Sequence, residues 1–455
     1  MNYRYREKYE MKDSGVDWFG KIPKNWEIKK TKYIFDKIQT GTTPSSSNEK
    51  FFKDGDINWF TPGDIKDDCL IESNRKVTKL ALEKKEVKEF YGDSIIVVGI
   101  GATAGKVAFS SQKLTFNQQL TGFYSNKNIN KFYFYLMKYL GDDFFKLATY
   151  TTLPILNNEF FKKIDLVSLD IKEQQKIVNF LDKKSEELDS IIVKKENLII
   201  KLEEAKKSLI SEVVTGKLKI VEKDNKEYKT IKRQEQEMVN SGIKWIGMIP
   251  KEWTIKKIKY NTYVKGRIGW QGLKSNEFIE EGSYLVTGTD FEKNKINWNS
   301  CYRISEDRFK EAPAIHLKNG DLLITKDGTI GKLAIVENCP KQAVLNSGIF
   351  VTRCTNNDYL TKYMFYILDS KIFSVYIDIN KTGSTIAHLY QETFMQFSYP
   401  LPNKNIQENI IRFLDKKINK FDLIIEKQKQ VIQKLKEAKQ SLISEAVTGK
   451  IEVLV

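Results

Sequence analysis

"SLISEVVTGK" occupies residues 208–217 and "SLISEAVTGK" occupies residues 441–450, so nine of ten residues agree at an offset of 233. The agreement continues toward the N-terminal side of each copy, where "FLDKK" at 180–184 returns at 413–417 with the same offset. The chain therefore contains one long segment twice, and the second copy lies almost at its C-terminal end. This repetition predicts two structurally related halves.

A second block of sequence also repeats. "SGVDWFGKIPKNWEIKKTKY" at 14–33 returns as "SGIKWIGMIPKEWTIKKIKY" at 241–260, with 13 of 20 residues identical. The intervening segments, about 36–168 and 263–401, look mostly different. Two copies are too few for a solenoid. The pattern therefore predicts a pseudo-twofold internal repeat with similar ends and divergent middles.

The decapeptide ends a long heptad pattern in each half, which indicates a helix with one apolar stripe. Asp170 and Glu173 suit the start of the first helix, while Gly216 and Gly449 suit the helix ends. About 42 residues make a rod of roughly 60 Å. The residues predicted to form the interface between the helices are Leu181, Leu188, Ile191, Leu198, Leu202 and Leu209 in the first, and Leu414, Phe421, Ile424, Val431, Leu435 and Leu442 in the second.

Pairing the two helices with each other buries both stripes, and an antiparallel arrangement lets each intervening segment span its own half. The alternative is that each helix packs on its own globular domain. The predicted class is α+β, with two mixed, strand-containing domains separated by two long antiparallel coiled-coil helices. The predicted boundaries are domain 1 at 1–170, helix 1 at 171–216, a linker at 217–240, domain 2 at 241–403 and helix 2 at 404–449.

The charge of the chain favours a polyanionic partner. There are 75 lysine and arginine residues against 59 aspartate and glutamate residues, a net charge of +16. Residues 171–217 carry ten basic against nine acidic residues (+1) and 404–450 carry eleven against six (+5), which leaves +10 outside the helices. Basic surfaces bind nucleic acid by displacing counterions. A lysine-rich proteome would give the same composition.

Cysteine and histidine give no sign of a metal site. The four cysteines are scattered and only two histidines are present, whereas structural zinc needs four clustered ligands. Reduced cysteines in a cytosolic protein are the simpler interpretation. No apolar run approaches the roughly 18 residues of a membrane span, and the N-terminus lacks the apolar stretch of a signal peptide. We therefore expect a cytoplasmic protein without a metal or membrane association.

The stretch "GIGATA" at 99–104 imitates a nucleotide-binding loop. The following residues indicate a strand rather than a helix, no acidic residue comes about 20 residues later, and the second copy carries Lys326 and Asp327 there. The glycines are expected to allow a tight turn instead. Lys106 and Lys332, at matching points, then become candidates for phosphate contacts, with solvated lysines as the alternative.

Polar stretches in both middles suit contacts with DNA, because Arg, Gln and Asn can bond base edges while Ser, Thr and Lys commonly hold phosphate. Each stretch alone is more often an ordinary surface loop, but similar stretches recur in both halves. The predicted DNA-contacting residues are Thr42, Thr43, Ser45, Ser46, Lys106, Asn117, Gln118, Gln119, Thr151, Thr152, Arg267, Trp270, Gln271, Lys274, Lys326, Lys332, Lys381 and Ser384.

Motifs of catalysis are missing from the sequence: there is no methyltransferase tetrapeptide, no Walker A and no HExxH. A non-catalytic binding protein is therefore favoured. Two rivals remain open. The first is a coiled-coil adaptor or scaffold without DNA binding, and the second is an enzyme that uses "GIGATA" for a nucleotide.

Taken together, the "WxGxIPKxW" type of motif in each half, the "GxxxGKxA" type of turn, "EQQKIVNFLD" and "LISEVVTGK" resemble the specificity (S) subunit of a Type I restriction–modification system. The resemblance covers nearly the whole chain. It implies two target recognition domains on two conserved antiparallel helices, with each domain reading one half of a bipartite site in double-stranded DNA. The helices would set the gap between the half-sites and dock methyltransferase (M) subunits.

The resemblance also implies partners that carry the chemistry in a prokaryotic cytoplasm. Two M subunits would hold S-adenosylmethionine, and two restriction (R) subunits would use ATP and magnesium, so the chain itself would need no cofactor. One departure is that "IQENIIRFLD" at 406–415 lacks the Glu173–Gln174 pair, which predicts a weaker start of the second helix.

Overall fold

The chain is divided by its contacts into two units. The structure, a computed structural model, describes residues 2–45, 47–66, 68–147, 149–150, 154–222, 228–267, 273–380 and 388–454. Unit 1 comprises Met1–Lys195 with Lys429–Val455, and unit 2 comprises Glu196–Gln428. Two 44-residue helices, α6 (Ile171–Val214) and α12 (Lys404–Val447), contribute to both units. The mixture of helices and strands agrees with the predicted α+β class.

Unit 1 is built mainly from the first half of the chain. Its strands are β1 (Tyr3–Tyr5), β2 (Met11–Asp13), β3 (Lys21–Pro23), β4 (Glu27–Lys30), β5 (Lys37–Thr40), β6 (Ile57–Phe60), β7 (Lys76–Val77), β8 (Ser94–Val98), β9 (Val107–Ser110), β10 (Thr115–Phe116), β11 (Leu120–Tyr124), β12 (Thr149–Tyr150), β13 (Pro154–Ile155), β14 (Asp165–Ser168) and β30 (Ile451–Val453). Its short helices are α1 (Thr31–Ile34), α2 (Lys79–Glu83), α3 (Asn130–Tyr139), α4 (Gly141–Leu147) and α5 (Asn158–Lys163).

Unit 2 repeats much of this order. Its strands are β15 (Leu218–Glu222), β16 (Tyr228–Lys232), β17 (Met238–Asn240), β18 (Met248–Pro250), β19 (Thr254–Lys257), β20 (Thr262–Gly266), β21 (Ser283–Val286), β22 (Phe291–Glu292), β23 (Lys295–Ile296), β24 (Tyr302–Ile304), β25 (Leu322–Thr325), β26 (Leu333–Ile335), β27 (Ala343–Leu345), β28 (Ile349–Cys354) and β29 (Ser398–Leu401). Its short helices are α7 (Ile258–Asn261), α8 (Glu306–Lys310), α9 (Thr361–Asp369), α10 (Lys371–Asn380) and α11 (Gln391–Met395).

The divergent middles share one sheet topology. Unit 1 has an antiparallel sheet in the order β5-β11-β8-β9, and unit 2 has the matching order β20-β28-β25-β26. A three-stranded sheet accompanies each of them, β10-β6-β7 in unit 1 and β24-β21-β27 in unit 2, and each contains one parallel pair. The two halves therefore have the same framework although their middle sequences differ.

The central strand of each large sheet is buried on both faces, which explains its continuous apolar sequence. Along β8, Ile95 and Val97 face the core that contains α3, whereas Ile96 and Val98 face a second core formed with β6 and β10. Strand β25 alternates between two cores in the same way. Buried alternation of this kind constrains hydrophobicity and volume more than residue identity, so the framework survives sequence divergence.

The long helices exist as predicted, but four of the twelve residues predicted to form the interface between them are exposed. Of the twelve predicted residues, Leu181 and Leu414 are buried. Six more are half-buried: Leu188, Leu202, Leu209, Phe421, Leu435 and Leu442. Four predicted positions are exposed instead, with exposed fractions of 38–44%: Ile191, Leu198, Ile424 and Val431.

After three of these four positions the next residue is buried, and after Leu198 the next residue, Ile199, is half-buried. Ile192, Ile425 and Ile432 are only 7%, 4% and 8% exposed. The sequence left this open because each site carries two adjacent apolar residues, as in Ile191–Ile192 and Ile424–Ile425. Both the three-residue and the four-residue spacing are compatible with a heptad stripe, and the helix contacts select the four-residue spacing.

Ion pairs join the two helices inside each unit. In unit 1, Lys439 Nζ lies 2.8 Å from Asp189 Oδ2, and in unit 2, Lys206 Nζ lies 2.6 Å from Asp422 Oδ1. The two pairs correspond to each other at the repeat offset of 233. Near the start of α6 in unit 1, Arg6 contacts both Glu173 and Glu452, the latter beyond the end of α12. The helix segments of unit 1 therefore run in opposite directions.

In each unit, the two repeated sequence blocks contact each other at the end of a long helix; we call this contact the joint. Gly216, just after α6, has φ +70°, and a Cβ there would lie 2.4 Å from Pro250 Cγ and 3.0 Å from Trp253 Cη2. Gly449, just after α12, has φ +71° and meets the ring of Pro23 at the same distance. The end of each helix therefore sits on an "IPxxW" block, which gives a physical reason for repeating both.

Gly216→Ala should be strongly destabilising. The left-handed backbone costs alanine about 1–2 kcal/mol, and the clash with the rigid Pro250 ring adds about 1–3 kcal/mol of overpacking. Gly242→Ala is the matched control, because Gly242 has φ +73° and nothing lies within 4 Å of its Cβ position. Urea denaturation should show a clearly larger loss of unfolding free energy for Gly216→Ala. Equal losses would contradict the joint.

The segment predicted to be a linker, 217–240, contains ordered strands. β15 pairs with β16, from Leu218 opposite Lys232, and Leu218 and Ile220 pack against the core of unit 2. Alternating apolar and polar residues, typical of a half-buried strand, explain the hairpin. Unit 1 forms the counterpart from β1 and β30, with Tyr3 opposite Val453.

The second long helix keeps one residue of the pair that the sequence comparison reported as absent from its start. Gln174 is fully buried and its Oε1 accepts from the Ile129 backbone N–H at 2.9 Å. Gln407, at the repeat offset, accepts from Leu360 N–H at the same distance. Only Glu173 is replaced, by Ile406, so the buried amide that ties the helix to its domain is kept.

Candidate nucleic-acid interface

Three loops meet at one end of the large sheet in unit 1. Strand pairs Thr40–Thr121 and Val97–Val107 place the ends of β5, β8 and β11 at the same edge. The Gly99 N–H donates to Gln119 O at 2.7 Å. We call the residues 41–45, 99–106 and 117–119 the loop edge of unit 1. Loops on a rigid sheet are where binding residues usually lie.

Two glycines of the turn at 99–105 allow other backbone segments to approach closely. A Cβ at Gly99 would lie 2.8 Å from Leu156 O, and a Cβ at Gly105 would lie 2.4 Å from Gly141 O. The turn leads into strand β9, so it lacks the helix N-terminus on which a dinucleotide loop depends. At its end, Lys106 is exposed and its Nζ donates to Ile65 O at 2.9 Å.

The predicted residues of this edge divide into two groups. Thr43, Ser45 and Gln118 are exposed, and the Thr43 hydroxyl donates to Gln118 Oε1. Thr42 and Asn117 instead hold the loops, because the Thr42 hydroxyl donates to Glu86 O at 2.8 Å and the buried Asn117 amide donates to Gln119 Oε1 at 2.9 Å. The exposed group offers hydroxyl, amide and ammonium groups to a ligand.

The matching edge of unit 2 has a different chemistry. Between β25 and β26, Lys326 Nζ lies 3.2 Å from Asp327 Oδ2, and the Asp327 carboxylate also contacts His388 Nδ1. The Lys326 charge is therefore partly neutralised within the edge. Lys332 is exposed, and its backbone N–H donates to Thr325 Oγ1 at 2.9 Å.

Arg267 differs from the expectation of a surface side chain. It is 4% exposed, its Nε donates to Leu345 O at 2.9 Å, and burial lowers the pKa of its guanidinium, with nearby Arg308 as a further cause. This position suits support of a loop. Lys274 is exposed. Seven predicted residues lie outside the described residues: Ser46, Thr151, Thr152, Trp270, Gln271, Lys381 and Ser384.

Unit 2 contains a polar residue that matches Asn117 and that is absent from the predicted set. Asn346 of unit 2 corresponds to Asn117, because their backbone N–H groups donate to Val286 O at 2.9 Å and Phe60 O at 3.0 Å respectively. "FNQQL" and "LNSGI" share only the asparagine, so identity alone gave little signal.

A second missed feature is a short turn at the end of β6 and β21. In unit 1, Thr61 N–H and Oγ1 both bond Asp64 Oδ2, at 2.7 and 2.8 Å. In unit 2, Thr287 and Asp290 form the same pair of bonds at 2.7 and 2.9 Å. The shared "TxxD" spacing was the available signal. The turn fixes the backbone beside each loop edge.

Within the described part of the chain, no group of three or more His, Cys, Asp or Glu residues is placed to hold a metal ion. The four cysteines are free. Among the helices that the structure describes, none is both long and apolar enough to cross a membrane.

Comparisons with known proteins point to one family. The family model described as "Type I restriction modification DNA specificity domain" matches residues 23–203 and 250–434. The MjaVIII specificity subunit of Methanocaldococcus jannaschii is 22% identical over 452 residues, which cover 95% of this chain and 94% of the relative. The EcoR124I/EcoR124II specificity subunit of Escherichia coli is 25% identical over 188 residues, which cover 40% of this chain and 44% of the relative.

A solved structure described as "Structural basis underlying complex assembly and conformational transition of the type I R-M system" contains a chain of similar fold. Its TM-score is 0.66 at 13% identity, with coverage of 94% of this chain and 99% of that chain. Since the family model covers most of both halves, the chain belongs to the family of Type I restriction–modification specificity subunits, the non-catalytic subunits that give these enzymes their DNA specificity.

Proposed function

We propose that the chain reads an asymmetric, bipartite site in double-stranded DNA, with one half-site for each recognition domain. The observation that carries this is the pair of matching sheets with different loop edges. Identical readers related by a twofold would require a palindrome. Here the edge of unit 1 offers Thr43, Gln118 and Lys106, whereas the edge of unit 2 offers an Asp327–His388 pair and Lys332. Different donors and acceptors favour different bases.

The long helices act in this proposal as an antiparallel coiled coil that sets the gap between the half-sites. The buried isoleucines and leucines and the two ion pairs at corresponding positions support pairing along both helices. Exposed ion pairs of this kind are worth at most about 1 kcal/mol each. Their value lies in fixing register and direction, while apolar burial supplies the stability.

The exposed apolar residues Ile191, Leu198, Ile424 and Val431, which we call the docking stripe, are proposed to receive the M subunits. They recur at the heptad spacing on each helix, and Ile191 and Leu198 correspond to Ile424 and Val431 at the repeat offset. A recurring apolar stripe beside a helix seam is typical of a surface that packs against a further helix. Two equivalent stripes suit two copies of one partner.

Chemistry in this complex belongs to the partners. M subunits would bring S-adenosylmethionine for methylation of adenine, and R subunits, where present, would bring ATP and magnesium for cleavage. The complex would work in a prokaryotic cytoplasm, and the chain would supply only DNA contacts and docking surfaces.

Reconstitution tests this function. The purified chain alone should methylate no DNA, and the chain with its M subunit should methylate one asymmetric, two-part sequence, detected by methylation mapping on genomic DNA. Methylation by the chain alone would refute the non-catalytic role. A complex that forms but shows no DNA binding even at low salt would favour the coiled-coil adaptor.

A further inference from the structure

Arg75, which precedes β7, is held by two aromatic rings. Its guanidinium carbon lies 4.8 Å from the centroid of the Phe52 ring and 5.3 Å from that of the Trp59 ring. Trp59 is 2% exposed, and its indole N–H donates to Thr42 O at 3.0 Å. Since Thr42 belongs to the loop edge, these contacts place the Arg75 head beside the predicted DNA-contacting loop.

The aromatic rings orient the guanidinium of Arg75 and leave its N–H donors free to bind a ligand. Arg75 is exposed, and in the described part of the chain no hydrogen bond or ion pair uses its five N–H donors. Arg6 of the same unit, by contrast, pairs with Glu173 at 2.7 Å, and Arg353 of unit 2 pairs with Asp321 at 2.6 Å. Stacking a planar cation on aromatic faces leaves its edge free to form bonds.

The backbone that carries Arg75 is also fixed. The Asn74 backbone N–H and side-chain amide donate to Asp64 Oδ1 at 2.8 and 2.6 Å. Asp64 is the residue that closes the turn after β6 by bonding Thr61. Ordering a long side chain before binding reduces the entropy lost on binding. This preorganisation is expected of a recognition residue and unnecessary for a solvated surface arginine.

Unit 2 places a different side chain at the equivalent point. Trp59 lies opposite Arg75, because the Trp59 backbone N–H donates to Arg75 O, and Leu285 lies opposite Tyr302. Both Trp59 and Leu285 stand two residues before the threonine of the "TxxD" turn. Tyr302 is 50% exposed and stacks on Phe278 with ring centroids 4.4 Å apart. The position therefore offers a cationic fork in one half and a neutral aromatic ring in the other.

We infer that Arg75 reads a base edge in the half-site of the first recognition domain, an inference that rests on the proposed function. Guanine fits its fork, because N7 and O6 present two acceptors side by side in the major groove, and the bidentate pair is the commonest specific contact of arginine. Tyr302, which lacks both the charge and the fork, would not reproduce that preference in the other half-site.

Arg75→Ala and Arg75→Lys test this in the complete complex with M subunits, with methylation mapped on a DNA library randomised across both half-sites. Arg75→Ala should relax one base pair of one half-site and lower methylation of the original sequence roughly 10- to 100-fold. The other half-site is an internal control and should not change. Arg75→Lys should relax the same base pair, because lysine keeps the charge but loses the fork. Lys76→Ala is the matched control at the next residue and should preserve the site.

Two outcomes overturn the inference. In the first, both variants keep full selectivity. In the second, binding falls equally for all sequences and the slope of log affinity against log salt decreases by about one, which would make Arg75 a phosphate contact. If Arg75→Ala lowers the unfolding midpoint in urea, the base selectivity of Arg75→Lys is used instead to test the inference. Failure of the proposed function differs from both, because the unaltered complex would then methylate no bipartite sequence.

Discussion

A heptad inserted into each long helix, after Glu196 and after Lys429, should lengthen the gap in the recognised DNA by roughly three base pairs while both half-sequences persist. Seven residues add about 10 Å of helix, and DNA advances about 3.4 Å per base pair. The two insertion points correspond at the offset of 233 and lie at the boundaries between the units, which fall after Lys195 and after Gln428. The change should therefore leave each recognition domain intact.

The cost of the insertion should be affinity rather than sequence preference. A heptad rotates the apolar stripe by only about 20°, but three base pairs turn the DNA by about a third of a turn. DNA or scaffold must twist to keep both contacts, so binding should weaken. Methylation mapping and binding assays measure both effects. An active variant with the original gap would show that the helices do not set the spacing.

A five-residue insertion at the same two points is the matched control. It adds about 7.5 Å but rotates the following part of each stripe by about 140°, which moves the buried isoleucines away from the seam. We expect this variant to lose cooperative folding and methylation. If it worked as well as the heptad variant, pairing of the helices along a continuous seam would be wrong.

The existence and length of the helices could be predicted, because heptad leucines and terminal glycines are local signals. The predicted 171–216 and 404–449 lie within two residues of α6 and α12 at their ends. The seam register could not be fixed locally. Adjacent apolar residues such as Ile191–Ile192 suit both spacings, and the partner helix decides between them.

The contact between the repeated blocks could not be predicted from the sequence, because it joins residues that are far apart in the chain. Gly216 was predicted to end a helix, which its φ of +70° supports. Its contact with Pro250, however, joins residues 34 positions apart, and Gly449 meets Pro23 across most of the chain. No periodicity encodes such a pairing, although the repetition of both blocks was a clue.

The candidate interface was predictable only by residue type. Thr43, Gln118 and Lys106 were suggested by polarity and turn chemistry, and they lie at one loop edge. Arg75 was missed because its setting combines a strand, a loop and a tryptophan that are adjacent only in the fold. Whether any of these residues contacts DNA stays a prediction.

Charging the docking stripe should abolish assembly with the M subunit. In Leu198→Asp/Val431→Asp, the two changed positions correspond at the repeat offset and are 39% and 38% exposed. The chain alone should stay folded, because exposed substitutions usually change stability by no more than about 0.5 kcal/mol. On assembly each carboxylate would be buried in an apolar contact without a partner, which costs several kcal/mol. Affinity for the M subunit should fall at least 100-fold, and methylation with it.

Asn197→Asp/Gln430→Asp provides the matched control. These two residues also correspond at the offset of 233, are exposed, and adjoin the stripe in sequence. Since each is about 100° around the helix from its neighbour, they point away from the stripe while adding the same charge. Sedimentation of the mixed subunits measures assembly, and urea denaturation checks the fold. If both double variants weaken assembly equally, the effect is one of net charge, and the M subunit binds elsewhere. If only the stripe variant fails, the docking stripe is the surface that binds the M subunit. The stripe would then occur once on each helix because two copies of the M subunit bind.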